Sequence, residues 1–200
     1  MLLPALSAAR ERARAANCIN RQKQVGVAEF MYGSVNKDHI AVYANTDYSQ
    51  PNSVSIANGW GSADPSGKLV YGGCFGADAP VSAEDAELQA GNYFRCPSDS
   101  ANFNLSGSPQ TISYTFLIWS KAHSGWGSPA PEGRLIIGRD NPGSCIFFDM
   151  YPGTKNNHPN GNVNALYLGG HVKSLPLSAA QQAYVAWGTR VRSALDDITY

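Results

Sequence analysis

Leu-Leu-Pro-Ala-Leu-Ser-Ala-Ala-Arg-Glu-Arg-Ala-Arg-Ala-Ala-Asn-Cys-Ile-Asn-Arg-Gln-Lys-Gln-Val-Gly, residues 2 to 26, decides how the remaining chain is read. Leu2, Leu6, Ala9, Ala13 and Ala16 recur at steps of three and four, which aligns them in one stripe along a helix. Val25, Ala28 and Tyr32 continue that stripe with slight drift. Alanine and the unbranched Arg, Gln and Lys lose little side-chain freedom in a helix, so propensity and periodicity agree as far as Gly26. The expectation is one amphipathic helix over residues 1–35, with most of its Ala/Leu stripe packed on the domain. The helix opens without a polar cap, and Pro4 is tolerated in a first turn. An apolar opening followed by a basic helix is the pattern left downstream of a membrane-spanning half.

Charge is unevenly spread. Arg10, Arg12, Arg14, Arg21 and Lys23 face a single acid, Glu11, within the first 25 residues. The other 175 residues carry ten basic and fourteen acidic side chains, so the formal neutrality of the whole conceals a polarised molecule. The basic run lacks interleaved aromatics, which argues against a nucleic-acid partner. Charged residues make up only 15% of the 200, while Gly, Pro, Tyr and Asn are plentiful. That balance points to an ordered, loop-rich, β-containing domain facing an extracytoplasmic medium.

Downstream of the helix, His39–Tyr43 has the form of a short strand, and 45–58 is rich in Ser, Asn, Thr and Pro, as loops are. Leu69–Phe75 is an apolar piece interrupted by glycines. Ser82 followed by Glu84 and Asp85 reads as an N-cap with acids in the first turn of a helix to about Ala90. Thr111–Trp119 alternates Ile112, Tyr114, Phe116 and Ile118 with hydroxyl residues, the signature of a half-buried strand. Arg134–Ile137 and Ser144–Asp149 read as two more. Val163–Leu168 and His171–Leu175 flank Gly169-Gly170, a two-residue hairpin loop suited to positive φ at both positions. Ser178 caps a helix over Ala179–Trp187, whose Ala180, Tyr184 and Trp187 share a face for the sheet; Thr189–Tyr200 adds a helical turn or frays.

Three segments carry a resemblance. Residues 2–26, above all Asn17-Cys-Ile-Asn20 and Lys23-Gln24, resemble the stretch that follows the hydrophobic segment of pilin-like proteins. Within these the match is to type II secretion pseudopilins of the bacterial group with a C-terminal His…Asp-Gly-His-Val motif. Phe94-Arg-Cys-Pro-Ser-Asp99 resembles a segment of the same group. His158, Gly169-Gly170 and His171-Val172 occupy the places of the C-terminal motif, with Gly169 standing where the group has Asp and one extra residue after His158. The resemblance implies an α+β, pilin-like fold: a long N-terminal helix on an antiparallel sheet of four or so strands, with a short C-terminal helix. It divides the chain into the helix (1–35), a variable loop region and sheet (36–177) and a helical tail (178–200), all one globular domain. It implies a non-catalytic filament subunit of a type II secretion pseudopilus or related structure. Its partners would be other pilin or pseudopilin subunits, through the N-terminal helix, and the secretion machinery. It also implies a leader and an apolar helix of about 20 residues preceding Leu2, anchoring the full-length protein in the inner membrane with this domain facing the periplasm or exterior.

Several residues invite chemistry. Cys18, Cys74, Cys96 and Cys145 stand far apart without a Cys-x-x-Cys pair, so spacing does not point to zinc. One or two disulfides, with Cys74–Cys96 favoured as a single bridge, and free buried thiols are both open readings. Cys96 as a nucleophile would need a base and a positive pocket, and Arg95 is the only cation close in sequence. Asp149, Asn156, Asn157, His158, Asn160, Asn162 and His171 cluster late in the chain. Asp149, Asn157 and His158 are the candidates for calcium, since related pseudopilins carry a calcium-stabilised loop near their C-terminal end; otherwise no cofactor is expected. Asp149, His158 and His171 could also form an acid/base cluster, although no hydrolase, nucleotide-binding or metalloprotease motif is present. The rival to a filament subunit is an extracytoplasmic carbohydrate- or peptide-binding module, stacking ligands on Trp60, Trp119, Trp126 and loop tyrosines.

Overall fold

Strands that follow one another through turns pair most readily with their sequence neighbours, and this chain does so throughout its sheet. The computed structural model describes residues 2–43, 54–119, 133–149, 157–158, 161–178, 181 and 194–198. Its elements run α1 (Leu2–Val35), β1 (Val54–Gly59), α2 (Pro65–Tyr71), α3 (Ala83–Phe94), β2 (Thr111–Trp119), β3 (Cys145–Phe148), β4 (Asn162–Tyr167) and β5 (Val172–Pro176). The five strands form one antiparallel meander in the order β1-β2-β3-β4-β5. The protein is therefore α+β, with its first helix laid against the sheet.

The helix forms where its periodicity places it, but a different stripe is buried. Ala9, Ala13 and Ala16 are exposed, whereas Cys18, Gln22, Val25, Gly26, Glu29 and Gly33 are buried. Steps of three and four connect these residues too, and two of them, Gln22 and Glu29, are polar, so apolar patterning pointed to the wrong face in the first half, whereas Val25 and Ala28 of the expected stripe are fully buried. Gly26 allows the close approach: a Cβ there would stand 2.9 Å from Leu166 Cδ1 and 3.6 Å from the Gly170 carbonyl oxygen. Past Gly33, Lys37 and Asp38 adopt positive φ and turn the chain back, so that the Ile40 N–H donates to Leu135 O (2.9 Å).

β2 is buried along nearly its whole length, not half-buried, because both faces of the sheet are covered. Ile112, Tyr114, Phe116 and Ile118 join Val25, Phe94 and Phe147 in the larger core beneath α1 and α3. Leu117 and Trp119 join Phe148, Tyr167, Leu177 and Leu195 on the opposite face. A register shift between Cys145 and Phe147 puts Ile146 and Phe147 on the same side.

Other expectations need correction. Residues 54–59, read as loop, form edge strand β1 on β2. Leu69–Phe75 belongs partly to α2, which starts at Pro65 in the first-turn position where a missing N–H costs nothing. His39–Tyr43 and Arg134–Ile137 contribute only a His39–Ile136 bridge rather than strands. Ser82 does cap α3, accepting from the Asp85 N–H at 3.1 Å, but the helix continues to Phe94. Four residues, 168–171, join β4 to β5, with Tyr167 N–H donating to His171 O (3.0 Å) and only Gly170 of the glycine pair at positive φ (83°). Ser178 caps as expected, exchanging a reciprocal pair with Gln181, which is helical; the rest of the helix expected over 179–187 lies outside the described residues.

Candidate functional site

The three segments that carried the resemblance meet under α1. Cys18 reaches the sheet because it sits on the packed stripe, one turn before Gln22, whose Nε2 donates to Asn164 O on β4 (3.0 Å). Cys96 lies two residues past α3, where Arg21 Nη1 donates to Gly91 O (3.1 Å) and to Arg95 O and so closes the helix end. Pro97 stops further helix, and Asp99 shapes the following turn by accepting from the N–H groups of Ala101, Asn102 and Phe103 and from Ser113 Oγ (2.6 Å). Asp149 directly follows β3, and its backbone N–H donates to Asn164 O on β4 (3.1 Å). His158 completes the group.

Their polar atoms are close. His158 Nε2 lies 2.9 Å from Asp149 Oδ2, 3.7 Å from Cys96 Sγ and 3.2 Å from Asn164 Nδ2. Cys18 Sγ donates to Asp149 Oδ2 (3.1 Å) and stands 3.4 Å from Tyr114 Oη. Asp149 also accepts from the Asn164 N–H (2.7 Å) and from Asn164 Nδ2. On the far side of the imidazole, His158 Nδ1 meets Glu11 Oε1 at 3.0 Å, and the same oxygen accepts from Ser98 Oγ at 2.8 Å. Cys18, Cys96, Asp149 and His158 are each at most 1% exposed.

Burial opposes a charge on His158, but its hydrogen bonds to Asp149, Cys96 and Glu11 and the Asp149 charge overcome this and push its pKa up to about 11. The Cys96 thiol is pulled down to about 6, first by its hydrogen bond with Cys18 and then, against burial, by His158. Burial, Cys96 and the Asp149 charge hold the Cys18 thiol far above its ordinary value. The group thus joins a histidine held toward its charged form, an acid and two unlike thiols.

The late-chain candidates divide. Asp149 and His158 come together as the sequence suggested. Asn157 turns away, donating to Ser113 O (2.6 Å) and accepting from Asn102 Nδ2 (2.9 Å). Asn162 opens β4, and Asn156 and Asn160 lie outside the described residues. His171 stacks on Tyr167 (ring centroids 4.5 Å apart) and meets Asp197 at 3.3 Å, so it is not part of an Asp149–His158 acid/base group. With Asn157 engaged elsewhere and two sulfurs in the cluster, the donors do not suit calcium, which prefers oxygen. The Cys74–Cys96 bridge is not formed: all four cysteines are free and buried, and Cys96 faces Cys18. Cys18 and Glu11 escaped sequence reasoning as site residues because no spacing rule links positions so far apart.

Trp60 and Trp119 are buried, not exposed for ligand stacking; Trp60 packs near Tyr71 and Phe94, and Trp119 lies under the Arg134 guanidinium. Trp126 lies outside the described residues. Compared with known proteins, the chain matches no family model, no curated protein and no solved structure.

Proposed function

We infer that the protein is a structural, non-catalytic subunit of a pilin-like filament of the type II secretion pseudopilus kind, held to its neighbours by α1. One observation carries this reading. α1 is seated on the sheet from Cys18 onward, while residues 5–10, 12–14, 16 and 17 are exposed. A helix of 34 residues, about 50 Å long, far exceeds what the sheet covers and leaves most of its first half, Glu11 apart, free for other subunits. That half is basic as well as apolar, and Arg10, Arg12 and Arg14 can meet lipid headgroups before assembly or acids of a neighbour after it.

The seated half adds a second surface. Val27, Phe30, Met31 and Val35 are 40–81% exposed, and Val27 and Met31 help line a groove of about 400 Å³ with Phe75 and Tyr93. Apolar side chains displayed along a helix are what packing between subunits uses. On this reading the full-length protein is anchored in the inner membrane by an apolar segment before Leu2, with the domain outside the cytoplasm.

The test replaces Arg10, Arg12 and Arg14 together by Glu in the full-length protein. Incorporation into sheared filaments should be lost, while circular dichroism and the melting temperature of the domain stay unchanged. Filament incorporation at the unaltered level would overturn the reading.

A further inference from the structure

His158 makes the chemistry of the buried cluster specific. Its Nδ1 faces the Glu11 carboxylate at 3.0 Å, which fixes a proton on that nitrogen. Nε2 then points at Asp149 Oδ2 (2.9 Å) with Cys96 Sγ on its flank (3.7 Å). A lone pair on Nε2 and a carboxylate oxygen at that distance repel unless a cation lies between them, either a proton or a metal ion. A histidine whose second nitrogen is held by a carboxylate is the usual arrangement around a protein-bound metal.

The sulfurs complete the donor set. Cys18 Sγ, Cys96 Sγ and a ring nitrogen of His158 lie within 4.8 Å of one another, all buried. Asp149 Oδ2 stands outside that group of three but beside two of its members, 3.1 Å from Cys18 Sγ and 2.9 Å from His158 Nε2, and is the nearest fourth donor. Tetrahedral zinc, with bonds of about 2.0–2.3 Å, spaces its donors about 3.3–3.8 Å apart, so Cys18, Cys96 and His158 need adjustments of several tenths of an ångström to about 1 Å, and Asp149 a larger one. Outer contacts are already in place: Glu11 on His158, the Asn164 N–H on Asp149 (2.7 Å), and Tyr114 Oη beside Cys18 (3.4 Å).

We propose that Cys18, Cys96, His158 and Asp149 bind one Zn²⁺ ion that clamps α1 to the sheet. Two thiolates and an imidazole suit zinc better than a hard cation, and four protein donors make a closed, structural site. The ion would tie the helix, the turn after α3, the end of β3 and the 157–158 segment, four pieces of chain that are not continuous with one another. This inference is independent of the filament reading, since metal binding is measured on the isolated chain.

The test uses the whole chain, reduced with a phosphine and stripped with a chelator, then titrated with Co²⁺ and Zn²⁺ chloride. The expected result is one Co²⁺ per chain with the absorption of tetrahedral thiolate coordination, displaced by one equivalent of Zn²⁺, and a raised melting temperature. Cys18→Ser and Cys96→Ser should each weaken binding by more than about tenfold, and Cys74→Ser should leave it unchanged. Absence of thiolate-to-cobalt absorption in the unaltered chain would overturn the proposal whether or not the variants fold. So would a Cys18–Cys96 disulfide, found by non-reducing mass analysis, in protein isolated from its native compartment.

Discussion

Glu29 is a carboxyl group placed where water does not reach. Its Oε2 accepts from the Ala41 N–H at 2.7 Å, and its Oε1 has no hydrogen-bond partner among the described residues. Burial raises its pKa to about 8, with the Ala41 bond opposing the shift. A carboxyl that holds its proton more tightly in the folded state weakens the fold as pH rises from its unfolded value, near 4.5, to about 8, and the loss is complete above that. The shift corresponds to roughly 5 kcal/mol as an upper figure. Glu29→Gln keeps an acceptor for Ala41 and removes the ionisation. It should therefore raise the urea midpoint markedly at pH 9 and little at pH 4.5; a gain independent of pH would contradict this account. Asn157 and His158 show the limit of reading at this scale. They are adjacent, yet one side chain serves the Ser113–Asn102 turn and the other the Asp149 cluster.

Among the elements, the segment 194–198 is the least expected. Residues 194–195 are helical, as the sequence allows, but the segment is not a frayed end: Leu195 is fully buried and Asp196 forms a two-pronged ion pair with Arg134, both bonds at 2.8 Å. Arg134 also donates to Cys145 O (2.6 Å), and its guanidinium lies 3.5 Å over Trp119. Tyr167 Oη donates to Leu195 O (2.8 Å), and the Asp197 N–H donates to Gly143 O (2.9 Å). This strap closes the second face of the sheet and explains why β2 is buried on both sides. Asp196→Ala would leave a buried guanidinium unpaired, at a cost of about 3–5 kcal/mol. The expected readouts are a lower denaturation midpoint and protease cleavage near residue 194, with Arg134→Met/Asp196→Leu recovering most of the stability. An Asp196→Ala chain as stable as the parent would show the strap to be idle. α1 and α3 were legible because a period or a cap is local. α2 and β1 were not, since the first is short and the second depends on the edge of β2 to pair with.

For the molecule as a whole, the division of α1 into a seated and a projecting half sets which deletions matter. Removing residues 1–9 takes away only side chains that face solvent where described, and leaves Glu11 in contact with His158. The domain's unfolding free energy should change by less than about 0.5 kcal/mol, as for other surface changes. A larger loss in chemical denaturation would mean that this half packs on its own domain. The sequence alone determined the helix over its first 35 residues, the capped start of α3, the strands around 111–119, 144–149, 163–168 and 171–175, and the uneven charge. Each of these follows from period, cap or composition within a few residues of itself. Only the tertiary structure decided which stripe of α1 is buried and what covers the far face of the sheet. It alone brought Cys18, Cys96, Asp149 and His158 together, because contacts between positions up to 140 residues apart depend on how helix and strands stack, which no local pattern encodes.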